Sequence, residues 1–225
     1  MGRRARHLNA RHAGAGLVLD ARRISGLNDG DAVSTWSDAS GNGRDASNTL
    51  TARPLYKVGI QGGQPTVRFD GINDFLAFGS SVIFNSPATA ICVYKRSATN
   101  VRMVPISGTS GPSSYPLFEY IDNAVYISGD ANYVFKNTIG VAWRVSESSI
   151  STGPVFSLRL NGDSQSLSAN VSGSTSGAMT LIGRRDGDYS TGDISQIIYI
   201  SSSISSGIKK RLEHSAAFSF KIQCS

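Results

Sequence analysis

Cysteine is scarce in this chain of 225 residues: Cys92 and Cys224 are the only two. That excludes a disulfide-stapled scaffold. Cys92 sits in the apolar run Ala90–Tyr94 and Cys224 is next to last, so a buried thiol and a tail thiol are favoured over a bridge. Of the three histidines, His7 and His12 lie in the first twelve residues and His214 in the terminal helical segment, none among the expected strands, which argues against both a zinc site and a nucleophile activated by histidine. Long apolar runs are absent as well. The longest, near Ala88–Tyr94 and Ile194–Ile200, fall well short of the roughly 20 residues of a membrane helix. Charged residues make up only 17% beside 24 glycines and 35 serines, against a usual charged share of about 25%, which argues against helical bundles and coiled coils.

What charge there is lies unevenly. Residues 1–12 hold Arg3, Arg4, Arg6 and Arg11 with no acid, while the rest carries 18 basic and 16 acidic residues. The chain is therefore read as a basic arm, 1–12, and one domain, 13–225. The arm begins like a signal n-region, but only Leu17-Val18-Leu19 follows instead of an apolar h-region, so classical secretion is not encoded. Four arginines could neutralise phosphates without reading sequence, yet no aromatics are interleaved with them. An acidic protein partner or a plain tail is the favoured reading of the arm over nucleic acid.

Period-two alternation recurs throughout, as in Val67 and Phe69, Leu76 and Phe78, and Phe156, Leu158 and Leu160. Hairpin turns are expected at Asp70-Gly71, Asp122-Asn123 and Asn161-Gly162, and further strands at Leu17–Asp20, Thr89–Lys95, Arg102–Ser107, Ile139–Val145, Ala178–Ile182 and Ile194–Ile200. Serine-rich stretches at 146–151, 164–176 and 201–206 read as loops. A single helix is expected over Gly207–Phe220, where Ile208, Leu212, Ala216 and Phe220 recur at i, i+4 and Ser205 or Ser206 can cap the start. The expected fold class is all-β, a two-sheet antiparallel jelly-roll sandwich with one short C-terminal helix.

Catalytic constellations are thin. A glycosidase needs two carboxyl groups across the scissile bond. The only glutamates are Glu119, Glu147 and Glu213, which read as solvated surface groups, Glu147 in a serine loop and Glu213 on the helix. Gly41-Asn42-Gly43-Arg44-Asp45-Ala46 has the letters of a dinucleotide fingerprint but follows no strand that opens a helix, and reads as a turn. Gly173-Ser174-Thr175-Ser176-Gly177 has threonine where a nucleophile elbow has serine, and reads as a loop. No cofactor is expected. Calcium remains the open alternative at Asp186, Asp188 and Asp193 or at Asp70, Asn73 and Asp74, though turn-forming residues explain both groups. The aromatics Tyr115, Tyr120, Tyr126, Tyr133, Phe135 and Trp143 crowd one central stretch, and aromatic faces stack on sugars or pack at interfaces. Tyr120, Tyr126, Tyr133 and Trp143 are the candidate ligand contacts, and Arg3, Arg4, Arg6 and Arg11 the candidate anchor. Trp36 and Trp143 are also the strongest candidates for ordinary core.

Several segments carry a family likeness. Gly16-Leu17-Val18-Leu19-Asp20-Ala21, Val33-Ser34-Thr35-Trp36-Ser37-Asp38-Ala39-Ser40-Gly41-Asn42-Gly43, Pro65-Thr66-Val67-Arg68-Phe69-Asp70-Gly71 and Gly192-Asp193-Ile194-Ser195-Gln196-Ile197-Ile198-Tyr199 occur in order. They resemble bacterial and phage laminin-G-like, concanavalin-A-like jelly-roll domains. The resemblance implies a two-sheet module that binds carbohydrate or protein surfaces. It leads to the expectation of a non-catalytic protein on a virion or extracellular surface, contacting host glycans, as a homo-oligomer or part of a larger assembly. A structural virion decoration protein anchored by its arm is the alternative, and a glycoside hydrolase the minor one.

Overall fold

The alternating segments become strands because a period of two sends every other side chain to one face, and only a second layer can bury that face. The computed structural model describes residues 14–98, 101–107, 115–119, 125–129, 132–136, 141–151, 156–165, 168–170, 176–185 and 187–224. The strands are β1 (Leu17–Asp20), β2 (Thr35–Trp36), β3 (Ala46–Ser47), β4 (Leu55–Gln61), β5 (Gln64–Asp70) and β6 (Leu76–Asn85). Next come β7 (Ala88–Arg96), β8 (Met103–Ile106), β9 (Tyr115–Glu119), β10 (Val125–Gly129), β11 (Asn132–Lys136) and β12 (Arg144–Ile150). The last are β13 (Phe156–Leu160), β14 (Asp163–Ser164), β15 (Ser168–Asn170), β16 (Ser176–Ile182), β17 (Arg184–Arg185), β18 (Asp188–Tyr189) and β19 (Thr191–Ile200), followed by helix α1 (Ser206–Ser219).

One layer is the antiparallel sheet β14-β13-β12-β7-β19-β5-β4, with β1 also paired to β19. The other joins β16-β6-β3-β2 to β15-β11-β10-β9-β8 through a bridge between Ser107 and Leu181. The fold is thus an all-β sandwich with, among the described residues, one α-helix near the C-terminus. Between the layers lies a core that includes Leu17, Leu19, Trp36, Phe69, Cys92, Tyr94, Ile197 and Tyr199. A second apolar cluster covers the outer face of the larger sheet, where Val18, Ile91, Val93, Val145, Ile198 and Ile200 meet Leu212, Ala216, Ala217 and Phe220 from α1 and its end. Cys92 is buried in the first cluster and Cys224 packs on the second, both as free thiols. No helix among the described residues is long and apolar enough to cross a membrane.

Strand β19 serves both clusters through an irregularity. Its register on β7 shifts between Ile194 and Gln196, leaving Ser195 as an extra residue. Ile194, Ile197 and Tyr199 therefore face the inner core, while Ile198 and Ile200 face the helix. The bulge turns Gln196 to the outer face opposite Asp20 of β1.

Several expectations need correction. Asp70-Gly71 does not close a hairpin: β5 belongs to the larger sheet and β6 to the other layer, so this turn carries the chain between layers. Asp70 Oδ1 accepts the backbone N–H of Ile72, Asn73 and Asp74, which shapes that corner. The tight turn between β4 and β5 is instead Gly62-Gly63, both at positive φ. The serine stretch 146–151 is not a loop, for Ser146, Ser148 and Ser149 lie within β12, buried between β7 and β13. The strand expected over Ile139–Val145 begins at Arg144 and runs to Ile150. Asn161-Gly162 does form the expected two-residue turn, with φ of 51° and 92°.

Candidate functional site

A cleft of about 890 Å³ opens where α1 stops short of covering the outer face. Its floor is Val18 and Asp20 of β1, Gln196 and Ile198 of β19, and Gln64 at the start of β5. One wall is the last turns of α1, from Leu212 to Ser219, and the other is Arg22 and Arg23 of a short 3-10 turn after β1.

The floor is hydrogen-bonded into one arrangement. Asp20 accepts from the Arg22 backbone N–H at 3.0 Å, Arg22 Nε at 2.8 Å and Arg22 Nη2 at 2.5 Å. Gln196 Nε2 donates to the same carboxylate at 3.1 Å. A carboxylate can only accept, so the Gln196 amide must turn its nitrogen to Asp20 and its Oε1 away. That Oε1 is buried with no hydrogen-bond partner. The Arg22 guanidinium also lies 4.9 Å over the Phe220 ring.

The helix end is set by its cap and by the β4–β5 turn. Ser205 Oγ accepts from Ile208 N at the start of α1. At the far end Ile222 N donates to Ala217 O at 2.9 Å, and Lys221 takes the left-handed conformation, φ 50°, that this ending requires. Gln61 Nε2 donates to Phe220 O, and a side chain at Gly62 would meet the same oxygen at 2.8 Å. Glycine therefore lets the turn close against the helix end. Phe218 projects from the rim, 73% exposed.

Beneath the other half of α1 lies a charged cluster. Glu147 and Arg159 stand opposite each other on β12 and β13. Glu213 Oε2 is 2.9 Å from Arg159 Nε, and Lys209 Nζ is 3.6 Å from Glu147 Oε1. Both glutamates are buried, contrary to the reading of solvated carboxylates, because α1 covers the sheet face that carries Glu147 and turns its own Glu213 toward that face. Burial raises the Glu147 carboxyl above its ordinary range, partly offset by the Ser149 hydroxyl and Lys209.

The sequence-predicted contacts are not gathered in one place. Tyr126 lies on β10 and Tyr133 on the adjacent β11, in register with Phe135 and Ser128 respectively. Trp143 is far from this arrangement in role, half-buried against the cluster beneath α1, while Trp36 is fully buried. Tyr120, Asp186, the turn at Asp122-Asn123, the loop 173–175 and Arg3, Arg4, Arg6 and Arg11 lie outside the described residues. Of the acids considered for calcium, Asp193 is paired with Arg68 at 2.8 Å and Asp188 with Arg102. Asp74 accepts from Asp70 N, and no group of three candidate metal ligands occurs among the described residues. Gly41–Ala46 is the turn expected, with Asp38 accepting the backbone N–H of Ser40 and Arg44.

Sequence reasoning missed the cleft. One signal was present, since Gln196, beside Ser195, interrupts the apolar run Ile194–Ile200. The bulge that turns it outward has no such mark.

No family model matches the chain, and no curated protein matches it. Solved structures do share its fold. A Trypanosoma rangeli sialidase in complex with sialic acid is similar over 93% of this chain and 34% of its own, at 12% identity and a TM-score of 0.59. The binding domain of Paraclostridial Mosquitocidal Protein 1 is similar over 92% of this chain and 53% of its own, at 10% identity and 0.56. An arabinofuranosidase complexed with arabinofuranosyl-alpha-1,2-xylobiose is similar over 84% and 51%, at 10% identity and 0.57. The chain spans about a third of the sialidase and about half of the other two. At such identities the shared property is the fold. The expectation that the chain is not an enzyme is corrected here. Glycoside hydrolases stand among the proteins that contain this architecture, so scarcity of sequence motifs is no ground for excluding catalysis.

Proposed function

We propose that this chain is a glycan-binding β-sandwich domain and that the cleft beside α1 is its binding site. The observation that carries the reading is the lining of that cleft. Gln196, Gln64, Asp20 and Arg22 present hydrogen-bonding groups beside apolar surface from Val18, Ile198, Leu212 and Phe218. Sugars need both, hydrogen bonds for their hydroxyls and apolar or aromatic contact for their C–H faces. A volume of about 890 Å³ lies within the roughly 300–1,000 Å³ typical of small-ligand sites. The sialidase complex with sialic acid and the arabinofuranosidase complex with arabinofuranosyl-alpha-1,2-xylobiose, as proteins that contain the same fold, support the choice of ligand class.

The test is a glycan array probed with the purified chain, followed by titration of any hit against Gln196→Ala and Phe218→Ala. Hits weakened about tenfold or more by either substitution support the cleft. A second candidate is the β10–β11 pair, whose paired strands carry Tyr126 and Tyr133. Loss of binding on Tyr126→Ala or Tyr133→Ala, with the cleft variants unaffected, would move the site there. No hit on the array would end the glycan reading.

The finer proposal is a virion surface component that contacts host glycans, with the basic arm as its anchor and a larger assembly as its setting. It is supported by the resemblance to phage laminin-G-like modules and by the charge of Arg3, Arg4, Arg6 and Arg11. Deleting residues 2–12 should release the protein from particles while the domain melts unchanged. If a particle-borne protein binds no glycan, the decoration reading takes its place.

A further inference from the structure

The proposed cleft is unbalanced in charge. Its lining holds three cations, Arg22, Arg23 and Lys221, against the single acid Asp20. Arg22 and Asp20 cancel through their two-point contact, leaving that carboxylate little capacity for another cation. Arg23 and Lys221 are exposed, and neither forms an ion pair with any described residue. Lys221 moreover stands at φ 50°, where glycine is the favoured residue at a helix end of this kind. A lysine there is the less stable choice, and it sets a cation on the lip of the cleft.

We infer that the cleft recognises an anionic sugar, one bearing a carboxylate or a sulfate ester, with Arg23 and Lys221 flanking the acidic group. Gln196 and Gln64 take the hydroxyls of the same ligand. The inference rests on the glycan reading above and deepens it. Both cations are exposed, so the preference is strongest at low salt and fades as the Debye length shrinks.

The experiment uses the full chain on an array of matched pairs, each uronate, sialylated or sulfated oligosaccharide beside its neutral parent. Hits among the acidic members, about tenfold tighter than their parents near 50 mM salt and losing that margin near 500 mM, support the inference. Whether carboxylates or sulfates give the margin identifies the acidic group. Lys221→Gly and Arg23→Gln should each erase most of it. Lys221→Gly should at the same time melt no lower than the parent chain, since glycine relieves the left-handed backbone, so lost binding cannot be ascribed to lost fold. Neutral parents bound as tightly as their acidic partners, and unaffected by both variants, would overturn the inference while leaving the glycan reading intact. Silence across the whole array would overturn both.

Discussion

Arg159 on β13 and Glu213 on α1 join sheet to helix, with Arg159 Nε 2.9 Å from Glu213 Oε2 and the Gly162 backbone N–H donating to Glu213 Oε1 at 2.7 Å. Glu213 is fully buried, so its charge has no solvent to fall back on. Arg159→Leu should therefore cost about 3 kcal/mol or more, because it strands a buried carboxylate beside a second one at Glu147. Denaturant unfolding of the two proteins checks this.

Asp38 organises the turn after β2. It accepts from Val18 N at 3.0 Å, Ser40 N at 2.8 Å, Ser40 Oγ at 2.7 Å and Arg44 N at 3.2 Å. Burial opposes its ionisation, but these donors outweigh burial and hold its carboxyl below the ordinary range. Asp38→Ala should destabilise by about 2 kcal/mol at neutral pH. A lowered folded value means this stabilisation is complete above the unfolded pKa of about 4 and is lost as pH falls through the folded one. Melting curves of parent and variant should converge toward pH 2.

Asp74 is the opposite case. Burial first, and the neighbouring Asp70 charge second, raise its carboxyl to about 6. The folded state then binds the proton more tightly than the unfolded one, so stability falls as pH rises from about 4 to 6 and stays reduced above that. Asp74→Asn keeps an acceptor for Asp70 N and removes the charge. It should stabilise by about 1 kcal/mol at pH 7.5 and give nothing at pH 4. A melting temperature unchanged at pH 7.5 would contradict this.

Glycines at positive φ should differ according to what a side chain would meet. At Gly183, φ +80°, a Cβ would lie 2.3 Å from the Phe69 ring, whereas at Gly43, φ +67°, it would meet nothing within 4 Å. Gly43→Ala should cost about 1 kcal/mol, from the backbone alone. Gly183→Ala should cost about 3 kcal/mol or more, or prevent folding, because a core ring must move. Thermal melts of both variants separate the contributions.

These contrasts show how far the sequence could be read. Alternation marked most strands, and Ile208, Leu212, Ala216 and Phe220 marked the helix, because both periods are local. Which layer a strand joins is not local. Asp70-Gly71 has the letters of a hairpin, yet it crosses between layers, a distinction made by Thr191 and the rest of β19 more than 100 residues away. Glu147 read as a loop carboxylate because serines surround it. It is buried because α1, remote in sequence, lies over it. The cleft was hidden for the same reason, being the gap between β1, β19 and the end of α1. The aromatics of β10 and β11 were conspicuous in composition, but that Tyr126 and Tyr133 sit on directly paired strands is a matter of register, which composition does not carry.

The additional residue at Ser195 has a consequence for how this chain can change. Ile194 lies against Tyr94 and Gln196 against Val93, so removing Ser195 would join two segments that already alternate in step with β7, and Ile194, Ile197 and Tyr199 would stay inside while Ile198 and Ile200 stay under the helix. Removing a single residue anywhere else in the middle of β19 would instead exchange the two faces on one side of the cut. Ser195 is thus the one point along this strand where the chain can lose a residue without swapping its interior for its exterior.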